Sequence, residues 1–338
     1  MTTRRRFLSI IAASLGYGAA GLASGAPARP VSVWKGTVFG APGSLTLVHP
    51  DRHRAQALIA ECVREIARLE NIFSLYRPAS SISVLNNTGE LRAPPHELVE
   101  LVGLALALAR DTTGAFDPTV QPLYRLYARH FSLSHAARGG PSRRAIEDAL
   151  QAVDFKAVEV DAGRIALRKP GMALTLNGIA QGYITDRIAD RLRNAGFEDV
   201  LVDLGETRAL GMAPGRAPWS AGIADPRRDG AVIAHLALGD DARLYPALAT
   251  SGGYGMQFGP DPSFHHLFDP RTGRSANRWL SVSVETTRAT IADGLSTSLA
   301  VMPREKASAL LASYRPARAH FVDAQGSLSV LGFERAAV

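Results

Sequence analysis

The chain has 338 residues, 46% of them hydrophobic and 20% charged, which is the composition of a soluble globular protein with a sizeable core. Its formal charge of +7 falls to +4 without Arg4, Arg5 and Arg6, and the remaining arginines are scattered without interleaved aromatic residues, which argues against nucleic-acid binding. The single cysteine, Cys62, fits a buried helical face and excludes an internal disulfide and a thiolate metal cluster.

The first 28 residues have the pattern of an export signal. Three arginines precede an apolar, glycine-rich stretch that is too short for a comfortable membrane span, and small residues suited to cleavage follow. Residues 3–8 resemble the twin-arginine signal, which carries folded proteins across the membrane; an ordinary basic tail is the alternative. No cysteine follows, so no lipid anchor is expected. We predict cleavage after Ala28 and a soluble periplasmic protein of residues 29–338.

The hydrophobic pattern of the mature chain mixes helical and strand periods. Helices are predicted at residues 54–73, 96–110, 143–152, 178–195 and 290–302, with one more near the C-terminus. Strands are predicted at residues 34–49 (with a turn at 40–43), 157–161, 164–168, 173–177, 199–205, 219–226, 281–285, 318–323 and 327–331. Residues 74–89 are predicted to form a loop, and Pro118 and Pro122 to interrupt the turn after the second helix.

The order of these elements predicts the fold class. Strands and helices do not alternate strictly as βαβ units, so an α+β fold is favoured over a doubly wound sheet. We expect a mostly antiparallel sheet with flanking helices, forming a single catalytic unit. That unit has one lobe, or two lobes with the active site between them.

Two polar loops supply aromatic and charged candidates for a ligand site. In the first, Tyr76 offers a ring and a hydroxyl, and Arg77 offers a fork of donors suited to phosphate. In the second, Phe116 and Asp117 present a ring and a carboxylate after a glycine. Ordinary turns, with Phe116 in the core, explain these segments equally well.

Two further segments are rich in glycine and hydroxyl groups. A predicted strand ends at Gly178, and the helix that follows has Gly182 in its first turn, where free N–H groups can bind an anion. Neither a Walker loop nor a GxGxxG motif is present, and a glycine-containing helix cap is the alternative. Farther along, Ser251 and Gly252 belong to a flexible turn that carries hydroxyl groups.

Paired histidines, His265 and His266, precede an Asp-Pro turn. If they lie on a strand, only one of them faces a site, because successive side chains point to opposite sides. The cluster has too few ligands for zinc, and a general base is the better functional interpretation for one histidine. A structural or solvated histidine is the alternative.

The helix at 290–302 carries a carboxylate and a hydroxyl one turn apart. Asp293 and Thr297 share a face that is separate from the apolar face of the same helix. A solvated helix surface is the ordinary explanation of such a pair. The small residues Gly294, Ser296 and Ser298 indicate instead that another element approaches closely.

Taken together, these segments resemble the ApbE family, the magnesium-dependent FAD:protein FMN transferases. The resemblance covers about residues 34–331 and is carried in order by "LYRPASSISVLN", "TGAFDPTVQPL", "LNGIAQGYITD", "LVDLGETRALG", "ATSGGYG", "HHLFDPRTG" and "IADGLSTSLAVM". It implies an ApbE-like fold and the transfer of FMN from FAD, with Mg²⁺ on the pyrophosphate, to a Thr or Ser hydroxyl of an acceptor flavoprotein. AMP is the leaving group. Together with the export signal, "LNGIAQGY" resembles the NosX-like subgroup of periplasmic proteins.

The resemblance also implies roles for individual residues. It places the metal on Asp293 and Thr297, with Gly178 and Ser296 contributing backbone carbonyl groups, and makes His266 the base that takes the acceptor's proton. The residues that it implies for FAD binding are Tyr76, Phe116, Asp117, Gln181, Leu267, Ser251 and Gly252, together with Thr175, where the family often has Asp. Gln181 stands where the family often has Lys, so a charge near phosphate is absent.

Two other functions fit the same pattern. A periplasmic FAD pyrophosphatase would use water in place of the acceptor hydroxyl and release FMN and AMP. A carrier would bind FAD without turnover, which the departures at Thr175 and Gln181 favour.

Overall fold

The computed structural model describes residues 29–241 and 244–332, and the predicted export signal lies outside them. The strands are β1 (Val31–Val38), β2 (Ala41–Val48), β3 (Glu90–Arg92), β4 (Val158–Asp161), β5 (Arg164–Leu167), β6 (Asp199–Asp203), β7 (Thr207–Leu210), β8 (Trp219–Ala224), β9 (Val232–Leu238), β10 (Ala247–Gly252), β11 (Phe268–Asp269), β12 (Arg274–Ser275), β13 (Ser281–Thr286), β14 (Arg318–Val322) and β15 (Leu328–Gly332). The helices are α1 (Arg52–Phe73), α2 (Ser81–Thr88), α3 (His96–Asp111), α4 (Gln121–Phe131), α5 (Arg143–Leu150), α6 (Ala180–Asn194), α7 (Ala289–Val301) and α8 (Arg304–Ser313).

Eight strands form one antiparallel sheet in the order β1-β2-β6-β7-β10-β13-β14-β15. One face packs into the largest apolar cluster, where Val202 and Val284 of the sheet meet residues of α1, α3, α6 and α7. The other face packs partly against the β8–β9 hairpin, through Leu248 and Trp219. The predicted α+β fold with a mostly antiparallel sheet is confirmed. Within the described residues, no helix is both long and apolar enough to cross a bilayer.

Local signals explain why the predicted helices form where they do. Asp51 caps α1 by accepting a hydrogen bond from the N–H of Arg54 (2.9 Å), and Ser142 caps α5 through the N–H of Ala145 (3.3 Å). Gly196 has a φ of +82°, in the left-handed region, so the chain cannot continue as a helix after α6.

Two predictions about residues 74–131 are wrong. The predicted loop at 74–89 contains α2, which Ser80 caps through the N–H of Ser83 (3.2 Å). The prolines after the second helix do not prevent α4 from forming, because Pro122 lies in its first turn, where no intrahelical N–H is required.

Two strand predictions are also wrong. Residues 173–177 form no ladder, because the side chain of Asn86 bonds both the N–H (2.6 Å) and the carbonyl (2.8 Å) of Leu174. The turn of the first hairpin lies at Phe39 and Gly40, both with positive φ, and residues 41–43 already belong to β2.

Helices α6 and α7 pack closely and cap each other. A Cβ on Gly182 would lie 2.6 Å from the carbonyl carbon of Ala289 and 2.8 Å from Cβ of Asp293, so only glycine fits there. Asp293 of α7 accepts a hydrogen bond from the N–H of Gly182 (3.0 Å), while Asp186 of α6 accepts one from the N–H of Ala289 (3.0 Å). Each helix therefore places a carboxylate at the positive end of the other's dipole.

A buried ionic network fixes this helix pair. Asp186 also accepts hydrogen bonds from the N–H (2.9 Å) and the hydroxyl (2.6 Å) of Thr290. The guanidinium groups of Arg208, which is buried, and Arg288 pair with the same carboxylate, and Arg288 also pairs with Asp190 (2.8 Å). The N-terminus of α7 is thus held rigidly, one turn before Asp293.

Candidate active site

The residues predicted for the site lie around one cavity of about 240 Å³. Its walls come from the start of α6, the middle of α7, the end of β10, the Tyr76 turn and the loops that precede α4 and β11. The predicted residues that line it are Tyr76, Phe116, Asp117, Thr175, Gly178, Gln181, Ser251, Gly252, His266, Leu267, Asp293 and Thr297. Ser296 is completely buried and is not part of the lining.

Asp293 is a carboxylate with very little access to water. It is 3% exposed, and its Oδ2 accepts the hydrogen bond from the N–H of Gly182. Burial raises the pKa of Asp293, because a desolvated carboxylate is costly to ionise. The anion site predicted at the N-terminus of α6 is thus occupied, at Gly182, by this carboxylate of the protein itself.

Hydroxyl groups connect β10 to α7 beside that carboxylate. The Oγ of Ser251 lies 2.8 Å from the Oγ of Ser296 and 3.1 Å from the Oγ1 of Thr297. Ser296 in turn donates to the carbonyl of Asp293 (2.9 Å), and Thr297 donates to the carbonyl of Gly178 (3.4 Å). The polar face of the helix predicted at 290–302 therefore points into the cavity and not into bulk water.

A second carboxylate, Glu206, lines the cavity and was not among the predicted site residues. It is 7% exposed and accepts a hydrogen bond from the N–H of Thr250 (3.2 Å). Burial, and then the nearby charge of Asp293, raise its pKa well above the usual value. The sequence signal was present, since Glu206 directly follows a strand and a glycine, but its burial beside α7 depends on the tertiary structure.

Only one of the paired histidines lines the cavity. The Nδ1 of His266 lies 3.2 Å from the carbonyl of Met256 and can only donate to it, which leaves Nε2 unprotonated in the neutral ring. His265 is buried and lies 3.2 Å from Asn277 through Nε2, and its Nδ1 accepts from the N–H of Leu267 (3.3 Å). Burial lowers the pKa of both histidines, so both are neutral near pH 7.

The aromatic and carboxylate candidates before α4 have mixed surroundings. Phe116 is buried, whereas Tyr76 is 46% exposed at the cavity. The Oδ1 of Asp117 accepts hydrogen bonds from the N–H (2.8 Å) and the hydroxyl (2.6 Å) of Thr119, and it thereby stabilises the loop before α4. Gln181 donates to the carbonyl of Leu204 (3.2 Å).

The oxygen donors around Asp293 fit a hard divalent cation. A carboxylate, the hydroxyl of Thr297 and the carbonyl of Gly178 lie together, and Mg²⁺ takes one or two carboxylates and completes its shell with water and substrate phosphates. A cation there would offset the desolvation that raises the pKa of Asp293. The described residues contain no group of three or more His, Cys, Asp or Glu side chains suited to a metal.

Comparison with known proteins identifies the family. The sequence profile of the ApbE family matches residues 39–321. This chain belongs to the ApbE family. A FAD:protein FMN transferase of Treponema pallidum (strain Nichols) is 31% identical over 306 residues, which cover 83% of this chain and 82% of that protein.

Solved ApbE structures have the same fold. The ApbE protein of Thermotoga maritima superposes with a TM-score of 0.74 at 29% identity, covering 89% of this chain and 96% of that one. The apo form of the flavinyl transferase ApbE of Pseudomonas stutzeri gives a TM-score of 0.71 at 26% identity, covering 91% and 97%. The ApbE-like fold expected from the sequence is therefore confirmed.

Proposed function

We propose that the protein is a Mg²⁺-dependent FAD:protein FMN transferase. The observation that carries the proposal is the meeting of Asp293, Thr297 and His266 at one cavity in a chain of the ApbE family. The relative in T. pallidum is named for this activity. An acceptor Thr or Ser hydroxyl attacks the FMN-side phosphorus of FAD, the bond to the AMP phosphate breaks, and FMN remains on the acceptor through a phosphoester.

The side chains around α7 are assigned to the phosphates and the cation. Asp293, Thr297 and the carbonyl group of Gly178 would hold Mg²⁺, and Ser251 and Gly252 would contact the phosphates. The chemistry that Mg²⁺ supplies when bound is the neutralisation of charge on the pyrophosphate. We assign the remaining contacts with FAD to Tyr76, Phe116, Asp117, Thr175, Gln181 and Leu267.

His266 is assigned the proton transfer. Its Nδ1–H is held by the carbonyl of Met256, so the free Nε2 can accept the proton of the attacking hydroxyl. Its pKa, lowered by burial, keeps the ring neutral and ready to accept a proton at pH 7. The family's phosphoryl-type transfer depends on alignment and charge neutralisation, so one base and one cation suffice.

The test separates transfer from hydrolysis and from storage of FAD. The mature protein is incubated with FAD and Mg²⁺, with and without an acceptor protein that carries a Thr target site, and AMP is measured. Release of AMP only with the acceptor is the expected result. Release without it identifies an FAD pyrophosphatase, and tight FAD binding without AMP identifies a carrier; either outcome contradicts transfer.

Two substitutions test the assigned roles. Asp293→Ala is expected to abolish turnover, and Asp148→Ala, on the exposed face of α5, is its control. His266→Ala is expected to slow transfer by about 10²-fold or more while FAD binding is retained, with exposed His53→Ala as control. A wild-type rate in Asp293→Ala contradicts the metal assignment, and a wild-type rate in His266→Ala removes that residue from the mechanism.

Location is part of the proposal. Residues 1–28 are assigned to a cleaved twin-arginine signal, so the enzyme acts in the periplasm on an acceptor there. Replacement of Arg4 and Arg5 by Lys is expected to leave the full-length protein in the cytoplasmic fraction. Mature protein in the periplasm of that variant contradicts the assignment.

A further inference from the structure

A second cavity adjoins the first on the side of α4. Tyr76, Gln121, Tyr124 and Asn177 line both cavities, and Arg125 of α4 lines only the second. None of the residues assigned to the FAD phosphates or to the cation lines the second cavity. It is therefore an approach to the site that the residues assigned to the phosphates and the cation do not line.

The exposed face of α4 is positively charged. Arg125 and Arg129 are both exposed and lie four residues apart, so they share one face of the helix. Neither has a carboxylate within ion-pair distance in the part of the chain that the structure describes, whereas Arg77, next to Tyr76, pairs with Glu70. Residues 118–146 contain five arginines and two histidines but no Asp or Glu.

Helix stability accounts for only one of these two charges. Arg129 lies in the last turn of α4, where a cation interacts favourably with the helix dipole. Arg125 lies near the middle of the helix, where that effect is absent, and it still faces a cavity without a partner carboxylate. In the described residues Arg125 has no ion pair, and its position at the second cavity favours a ligand from outside the chain.

We propose that Arg125 and Arg129 dock an acidic segment of the acceptor protein, next to the hydroxyl that the acceptor presents. This proposal rests on the proposed transferase function. A transferase must admit a segment of the acceptor protein to its cavity, whereas a hydrolase uses water as the acceptor. Residues flanking the target hydroxyl pass over the cavity mouth. The forked donors of arginine suit the carboxylates of that segment.

The test compares two peptides that differ only in charge. Both contain one Thr, flanked by three Glu in the first peptide and by three Gln in the second. The double variant Arg125→Glu/Arg129→Glu is compared with Arg52→Glu/Arg64→Glu, which makes the same charge change at exposed positions on α1 that have no ion pair in the described residues. Peptide binding is measured by fluorescence anisotropy without FAD, transfer by the KM for peptide, and FAD affinity by flavin fluorescence.

The wild type and the α1 variant are expected to bind the Glu peptide about tenfold more tightly than the Gln peptide at low salt. The α4 variant is expected to lose this preference, in binding and in KM, with an unchanged Kd for FAD. In 0.5 M salt the preference is expected to fall to about twofold or less, since screening weakens exposed ion pairs.

The outcomes separate docking from transfer. Absence of a preference in the wild type, or an equal preference in the α4 variant, overturns the docking surface, even if FMN transfer occurs. A weaker FAD affinity in the α4 variant, with the peptide preference intact, assigns the arginines to FAD and also overturns it. Selective peptide binding without any transfer supports docking and contradicts the transferase function.

Discussion

Replacing Gly182 by Ala tests the close contact on which the position of Asp293 depends. An alanine Cβ would lie 2.6 Å from the carbonyl carbon of Ala289 and 2.8 Å from Cβ of Asp293, about 1 Å inside normal carbon–carbon contact. Both neighbours belong to α7, so relief requires a shift of that helix against α6. The same shift lengthens the 3.0 Å hydrogen bond from Gly182 to Asp293.

The expected magnitude follows from two opposing effects. Overpacking lowers the free energy of unfolding by about 1–3 kcal/mol. The loss at this site is expected to be about 3 kcal/mol, because the neighbouring backbone atoms cannot rotate away. Alanine in a helix recovers about 1 kcal/mol relative to glycine. The net loss in the free energy of unfolding is therefore about 2 kcal/mol. Stabilisation by Mg²⁺ with FAD is expected to weaken as well.

A matched glycine provides the control. Gly103 lies within α3, and a Cβ there meets no atom within 4 Å. Gly103→Ala is therefore expected to raise the free energy of unfolding by about 1 kcal/mol and to leave Mg²⁺ binding unchanged. Urea unfolding of both variants measures the difference. If Gly182→Ala is as stable as Gly103→Ala, the close packing of α6 on α7 is refuted.

Three further predictions concern buried charge. Asp186→Asn is expected to cost about 3 kcal/mol, because buried Arg208 loses the closer of its two carboxylate partners and keeps only Asp190 (3.3 Å); a change below about 1 kcal/mol in urea unfolding contradicts this. Asp293 has a raised pKa in the fold, so its ionisation destabilises the protein as pH rises above 3.8. Asp293→Asn should thus be more stable than wild type at pH 8 in the absence of metal. In thermal melts the variant should gain no stability from Mg²⁺, and equal stabilisation of both proteins by Mg²⁺ would argue against the site. Burial lowers the pKa of His265 to about 4, below its unfolded value of 6.5, so stability present above pH 6.5 is lost as pH falls toward 4. His265→Gln should flatten the decline in unfolding free energy with falling pH, and an unchanged slope would exclude His265 as its source.

Periodicity was enough to predict most of the long elements. The apolar patterns of α1 and α5 predicted these helices, and in the structure Asp51 and Ser142 cap their N-termini. Pro122 misled the prediction of α4 because proline marks both the end and the first turn of helices. Residues 173–177 alternate like a strand, but their backbone bonds with the side chain of Asn86, a partner 88 residues away that no local pattern reveals.

Those site residues that lie in short sequence motifs could be predicted. Asp293 and Thr297 are spaced along one helix face, and the resemblance to the ApbE family linked them to the turn at His266. Glu206 was missed because its burial, and its closeness to Asp293, arise only when β7, β10 and α7 come together. The role of Gly182 in helix packing could not be predicted for the same reason, since a glycine in a first helical turn has several explanations.

We propose that this cavity transfers FMN to a protein hydroxyl with a cation held by Asp293. The most direct measurement is the intact mass of an acceptor protein after incubation with FAD, with Mg²⁺ or with EDTA, and with wild type or Asp293→Ala. We expect one added FMN, joined with loss of AMP, only with wild type and Mg²⁺. Equal FMN addition in EDTA or with Asp293→Ala, or an unmodified acceptor alongside released FMN, would contradict it.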